Sequence, residues 1–480
     1  MFPFDLKPFA QTGNYNHSLG MRDHHERLPM GYKWRSSKWF IIATISIALY
    51  AETFLYGFLV PFLGDMLLNR LHVPHSKIQE LTSAVLAVHG ALAIIAGPII
   101  GHFSDRSHNR KTPLLLSLGA SIIGTCMVAV SRSVLFLFLG RAVQGIAGSA
   151  VWIIGFATVA DTVSPNNMGS AMGLVMSFAN SGTISGPAIS GLLYESVGYW
   201  VLWSIPLLVL TIDLVARVLM VDNPSEALPS DRTLETDNVP LLYGSEENPS
   251  GIGGVWRILL CNGRVLTCLL ITFSSMSVST SLHATLPLYI HKQFGWGSSA
   301  SGLLFAGFVI PGVLLGPFAG WVRDKYGARY PVVVGAILQA LVLSLSGVAG
   351  GDRFSWSGAQ NAGKVIYSVC LITIGILRPF VSGIAPAELT DTAKRIQENT
   401  SRTLGGEGGV SRVIAMMDVA ASLGMMVGPI MGGFLKELVG YEGMSLTWSL
   451  TYVLLVMFAM HFLESQESKE ASSVEENADC

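Results

Sequence analysis

Gly97-Pro98-Ile99-Ile100-Gly101-His102-Phe103-Ser104-Asp105 returns later in the chain as Gly316-Pro317-Phe318-Ala319-Gly320-Trp321-Val322-Arg323-Asp324. Each copy closes a long apolar run. A second pair keeps the same register: Gly182-x-x-x-Gly186-Pro187-x-x-Ser190-Gly191 returns as Gly424-x-x-x-Gly428-Pro429-x-x-Gly432-Gly433. One repeated glycine pattern would mean little. Two pairs, falling at the second and eighth and at the fifth and eleventh apolar runs, describe a chain built from two copies of a six-run unit. Repeated halves with a site between them are the construction plan of rocking membrane carriers.

Half of the 480 residues are hydrophobic and 13% are charged, against about a quarter charged in a soluble chain. The apolar residues gather into runs, among them those holding Val134 to Gly140, Ile205 to Leu214 and Tyr452 to Phe462. About 20 such residues cross the hydrocarbon core as a helix. Peptide groups in that core find partners only within their own helix, so the runs must be helical. The glycines, 51 in all, lie within them, where small residues let backbones approach.

The expected fold is an all-α membrane protein with twelve transmembrane helices in two pseudo-symmetric six-helix bundles. The first six spans read 39–62, 81–103, 113–130, 134–160, 169–194 and 201–221; the second six read 264–290, 300–322, 330–348, 365–389, 410–435 and 445–462. Residues 1–38 form an N-terminal tail, 39–221 the first bundle, 222–263 a central loop, 264–463 the second bundle and 464–480 an acidic tail. Lys33, Arg35 and Lys38 precede the first helix; Arg106, Arg110 and Lys111, then Arg323, Lys325 and Arg329, fall on the same side, whereas the opposite loops are poorer, with Arg132 alone between the third and fourth helices. The excess of basic residues places tails and central loop in the cytoplasm. Sequons at Asn16 and Asn399 would then stay unmodified. The first 35 residues hold no apolar leader segment, so the first span is expected to direct insertion.

A net charge of −2 gives no reason to invoke nucleic acid, and the five cysteines show no metal spacing. No nucleophile–base pair, metal cluster or phosphate loop is visible. The chain reads as no enzyme, with no cofactor and no metal.

From residue 39 to 462 the chain resembles the major facilitator superfamily. Gly101-x-x-x-Asp105-Arg106-x-x-Asn109-Arg110-Lys111 is similar to its cytoplasmic gating loop, with one extra residue and Asn109 where glycine is usual. The resemblance implies that Asp105 braces one conformation against a helix N-terminus and that Arg110 pairs with Asp161. Arg106 and the repeat's Asp324 join this gating set. Gly173-x8-Gly182-x3-Gly186-Pro187-x2-Ser190-Gly191 is similar to the antiporter motif of exporting members; plain helix packing is the other reading. Within the superfamily the chain resembles the vesicular amine and acetylcholine transporters and their fungal relatives, in the drug:proton antiporter group. Glu52, nine positions before Pro61, stands where that group has an acidic residue. Arg141-Ala142-Val143-Gln144-Gly145 matches its RxxQG pattern, which assigns Arg141 and Gln144 to coupling. Asp418 matches a carboxylate of the amine carriers, and His89 stands where they place the lysine partner of that carboxylate.

An ionisable group at bilayer depth costs several kcal/mol, to order of magnitude, unless it pairs or meets water. Glu52, His89, Glu388 and Asp418 are the candidate solute and proton sites. The competing readings are a structural carboxyl at Glu52, a static bridge between His89 and Asp418, and a solvated helix end at Glu388, with Asp391 close behind. His283 reads more readily as a core histidine, and Arg378 as a loose echo of Arg141. Asp213 and Arg217, one turn apart, can pair with each other. Trp152, Phe178, Tyr289 and Phe305 are left as packing residues.

The functional expectation is proton-coupled antiport exporting small organic molecules (drugs, amines or secondary metabolites), in the plasma membrane rather than a vacuole or vesicle. Its partners are the solute, protons and the bilayer, and a single chain is expected to suffice. A vesicular amine loader and a transporter-like nutrient receptor are the alternatives.

Overall fold

The computed structural model describes residues 31–106, 110–163, 168–221, 261–351, 361–399 and 408–463. The expected N-terminal tail up to residue 30 with Asn16, the central loop from 222 to 260, and the acidic tail lie outside these residues. Side chains of Asp105, Arg106 and Asp161, and the surroundings of Gly173, also lie outside them.

The described chain is helical throughout its regular structure. We number the crossing helices α1 (Lys38–Phe58), α2 (Ile78–Arg106), α3 (Lys111–Val130), α4 (Val134–Thr162), α5 (Met168–Val197), α6 (Tyr199–Leu219), α7 (Gly263–Phe294), α8 (Ser298–Tyr326), α9 (Arg329–Val348) and α10 (Asn361–Val381). The helical stretch Gly408–Phe462 divides at Gly440, whose φ is 77°, into α11 (408–439) and α12 (441–462). Ten described stretches are long and apolar enough to cross a membrane, and one of them, Met416–Phe462, holds both α11 and α12. Helix α5, 30 residues with Glu195 its only charge, is the twelfth.

Pro61 lacks a donor, and the end of α1 accordingly tightens into a 3-10 turn at Val60–Phe62 and widens at Met66–Arg70. Gly198, between α5 and α6, has φ 78° and matches Gly440. Each follows the glycine closing its repeated motif by the same interval. A side chain at either position would meet open space, so glycine is needed there for its backbone conformation.

The repeat is visible in space. A Cβ on Gly182 or Gly186 would strike the α1 backbone at Tyr50 and Phe54, and one on Gly424 or Gly428 would strike the α7 backbone at Phe273 and Ser277. The motif's last glycine crosses between halves: Gly191 abuts Gly302 of α8, and Gly433 abuts Ser83 of α2. The outward faces are apolar, with Leu116, Leu135, Leu314 and Leu450 all well exposed, as a lipid-facing surface requires.

We call the end where α1 starts the lower end. The halves touch near the upper end and diverge below. Gly302, Gly316 and Gly320 share one face of α8 by helical spacing. At Gly302 that face lies on the backbone of Pro187 and Ala188, whereas at Gly316 and Gly320 nothing stands within 4 Å of a built Cβ. On α2, Gly90 abuts Met425 and Met426 of α11, but two turns lower Gly97 meets only Ser149 and Ile153 of its own half. The result is a cleft that opens downward.

Asp213 and Arg217 pair as expected on α6. Arg217 Nε donates to Asp213 Oδ1 at 2.8 Å and Nη2 to Oδ2 at 2.6 Å, while Nη1 reaches the carbonyl of Leu114 on α3. Both side chains are nearly inaccessible. Removing one partner strands a buried charge, so Asp213→Asn is expected to cost about 3–5 kcal/mol, read as a lower melting temperature of the purified protein. An unchanged melting temperature would reduce the pair to a spectator.

Candidate functional site

A polar cluster occupies the middle of the molecule where the halves meet. Glu52 and Tyr56 lie one turn apart on α1 and so project from one face. His89 comes from α2, Arg141 and Gln144 from α4, and His283 from α7. All six are buried. His89 Nε2 is 3.5 Å from Glu52 Oε1. The Arg141 guanidinium lies over the Tyr56 ring at 5.4 Å, and the same ring stands 5.1 Å from the His89 ring and 5.9 Å from that of His283. Tyr56 thus touches groups from both halves.

The local sequence explains these approaches. Gly145 lets α4 meet α2 so closely that a Cβ there would sit 2.7 Å from the carbonyl oxygen of His89. A Cβ on Gly148 would stand 2.2 Å from Glu52 Oε1, so the glycine opens the space the carboxyl occupies. Gln144 Oε1 accepts a hydrogen bond from Arg141 Nη1 at 3.0 Å, and Gln144 Nε2 donates one to Thr125 Oγ1 of α3 at 3.0 Å. Arg141 is therefore held on one edge of its guanidinium.

Several other polar atoms of the cluster find no partner among the described residues. Tyr56 OH, His89 Nδ1, Arg141 Nε and Nη2, and both ring nitrogens of His283 are buried without a hydrogen bond. Such groups are few in folded proteins, and each costs about 1–3 kcal/mol. Their concentration in one place between two halves makes this cluster the candidate site for a polar ligand.

The structure moves several expected residues. His89 does not face Asp418; it faces Glu52. Helices α2 and α11 meet with Met425 and Met426 against Gly90, which leaves Asp418 about two turns, or ~10 Å, further down the cleft. There it is exposed and makes no ion pair among the described residues. Glu388 does not end helix 10. The chain turns after Val381, and Glu388 lies in the first turn of a separate helix, Ala385–Asn399. It is buried against Arg323 at 3.1 Å, and Arg323 also binds Asp391 and Asp324. Asp324 itself is largely exposed. Asp324 of the gating set thus belongs to an ion cluster between α8 and the Ala385–Asn399 helix near the lower end. The expected pair of Arg110 with Asp161 lies outside the described side chains.

Tyr56 and His283 are the residues sequence reasoning missed or discounted. Tyr56 carried a signal, its spacing from Glu52. His283 carried the signal of an ionisable group within an apolar run, but its contact with Tyr56 joins two distant helices and is not written in the spacing. Phe305, set aside as packing, stands edge-on to His283 with ring centres 5.0 Å apart. Arg378 lies over the Phe308 ring at 5.5 Å.

The Major Facilitator Superfamily pattern matches residues 42–405, most of the chain. The chain belongs to the Major Facilitator Superfamily. It is therefore an integral, multi-pass membrane transporter that handles small molecules, and not an enzyme. An uncharacterized MFS-type transporter of Schizosaccharomyces pombe is 26% identical over 427 residues, covering 85% of this chain and 92% of the relative. The class D tetracycline resistance protein of Salmonella ordonez is 25% identical, covering 69% of this chain and 77% of that one. The vesicular acetylcholine transporter of Drosophila melanogaster is 20% identical, covering 84% and 68%. Among solved structures, a bacterial homolog of the human lysosomal transporter Spinster, in an inward-facing and unoccupied conformation, superposes with a TM-score of 0.63 at 12% identity, covering 88% of this chain and 96% of that one. The superfamily fold, with drug-resistance and vesicular relatives, agrees with the sequence reading.

Proposed function

We propose that this superfamily member is a proton-coupled antiporter that exports a small organic solute by alternating access. The observation that carries the proposal is the cluster around Tyr56, an acid and unsatisfied polar atoms from both halves buried where the halves meet. Glu52, bound to His89, is the proton carrier. Arg141, held by Gln144, couples it to the rest of the site. A solute that takes the place of the proton at Glu52 cannot share the site with it, and that exclusion links the two fluxes.

With both termini cytoplasmic, the downward cleft is the inward-facing state. Asp418, on the cleft wall below the Tyr56 cluster, is a carboxylate that a solute from the cytosol passes on its way to that cluster. Glu388 acts with Arg323, Asp391 and Asp324 in the cytoplasmic gate rather than in the solute site. At the opposite end, Lys436 Nζ of α11 donates to Gln79 Oε1 of α2 at 2.6 Å and to the carbonyl of Thr285 at 3.2 Å. Gln79 Nε2 reaches the carbonyl of Ala284 on α7 at 3.0 Å. These bonds form the latch of the outer gate. Hydrogen bonds from a charged group contribute roughly 1.5–3 kcal/mol. Lys436→Met is therefore expected to raise the labelling rate of a Ser83→Cys thiol from the outer side by about tenfold, since 1.4 kcal/mol is a factor of ten. An unaltered rate would remove Lys436 from the gate.

Purified protein in sealed vesicles, with an imposed pH gradient and a panel of organic cations, anions and neutral metabolites, tests the main reading. Accumulation that collapses with a proton ionophore supports antiport. Movement indifferent to the gradient would make the protein a facilitator. The vesicular relative favours a second reading, in which the same cycle loads an internal compartment. Localisation to the plasma membrane, our preferred site, would dispose of it.

A further inference from the structure

The way Arg141 is bound specifies a ligand. Only Nη1 of its guanidinium is engaged, by Gln144. Nε and Nη2 are buried and unpartnered, and no carboxylate lies within ion-pair distance of them among the described residues. These two nitrogens form one edge of the guanidinium, a fork that fits two oxygens of a planar oxyanion. The same protein displays the complementary arrangement elsewhere: Arg217 grips Asp213 with Nε and Nη2. Arg141 presents that gripping edge, and no carboxylate among the described residues fills it.

The charges around the edge point the same way. Arg141 lies over Tyr56, Tyr56 faces His283, and Arg378 stands within electrostatic range of His283. Arg378 likewise has no carboxylate within ion-pair distance among the described residues. Arg141 and Arg378 thus lie on the two sides of the Tyr56–His283 contact. A solute that is only a cation would leave the Nε–Nη2 edge of Arg141 unfilled.

We infer that the exported solute is amphoteric, with a carboxylate that seats on the Nε–Nη2 edge of Arg141 and an ammonium group that replaces the proton at Glu52. This rests on the reading that the Tyr56 cluster is the transport site. The ammonium follows from coupling. A carboxylate alone on Arg141 would favour a proton on nearby Glu52, and the two would travel together. Antiport needs them to exclude each other, which the ammonium accomplishes. Glu52 and Tyr56, beneath Arg141, are one helical turn apart on α1, about 5–6 Å between Cβ atoms.

The test uses full-length protein in nanodiscs and a panel of free amino acids, their methyl esters and the corresponding decarboxylated amines, with binding read by tryptophan fluorescence. The free acids are expected to bind about 10- to 100-fold more tightly than their esters and amines, the worth of a charge-assisted bidentate contact. Arg141→Gln should erase that preference without weakening the esters. Arg141→Lys, which keeps the charge and loses the fork, should retain part of it and serves if the glutamine variant does not fold. Esters or amines binding as well as the acids, a preference that survives Arg141→Gln, or no binding by any free acid at any soluble concentration would overturn the inference. Tight binding of free acids with export indifferent to a pH gradient would sink antiport instead, and leave the carboxylate site standing.

Discussion

In sealed vesicles, Glu52→Gln is expected to lower pH-gradient-driven solute movement by about 100-fold or more, the scale on which a positioned proton-transfer group contributes. Glutamine has nearly the size of the acid and keeps a hydrogen-bonding tip for His89, which stands 3.5 Å away. The variant should therefore fold and reach the membrane. What it loses is the proton. The melting temperature separates the two roles of this residue: transport lost at an unchanged melting temperature assigns Glu52 to coupling. If pH-driven movement persists at the wild-type rate, Glu52 is a structural carboxyl and the proton path must lie elsewhere.

Gly186→Leu is the second large effect. A Cβ at this position would stand 2.5 Å from the carbonyl oxygen of Phe54 and 3.1 Å from the amide nitrogen of Phe58. Both are backbone atoms of α1 and cannot swing aside. Overpacking of a tight interface costs about 1–3 kcal/mol, and a leucine adds three carbons beyond the Cβ. Helix α1 carries Glu52 and Tyr56, so forcing α5 away from it should spread the central site as well as lower the melting temperature. Gly119 of α3 provides the control, since a built Cβ there meets nothing within 4 Å. Gly119→Leu is expected to leave both stability and transport unchanged. Equal behaviour of the two variants, or wild-type transport with no added proton leak in Gly186→Leu, would refute the claim that this glycine seals the bundle.

These two residues illustrate how far the sequence reaches. The Gly182 and Gly186 pattern was legible because small-residue spacing on a helix records a close neighbour directly. Its second copy at Gly424 and Gly428 then reported that the neighbour was repeated too. Glu52 was legible because an acid within an apolar run is costly and has to be explained. Glu388 was misplaced because a charge alone does not reveal that the chain turns after Val381 or that Arg323 waits on α8. His89 was read against Asp418 because sequence spacing cannot show how far α11 is shifted along α2.

The sequence by itself determined the class, the twelve helices, the two-fold repeat and the glycines on which the helices pack. Each of these is a one-dimensional property, set by run length, periodicity and residue size. Only the tertiary structure decided which buried polar groups share a site. Hydrogen bonds and ion pairs act over about 3 Å, and whether Glu52 meets His89, or Tyr56 meets His283, depends on the relative shift and rotation of helices far apart in the chain. The free edge of Arg141 is likewise invisible until Gln144 and Thr125 are seen to hold its other side.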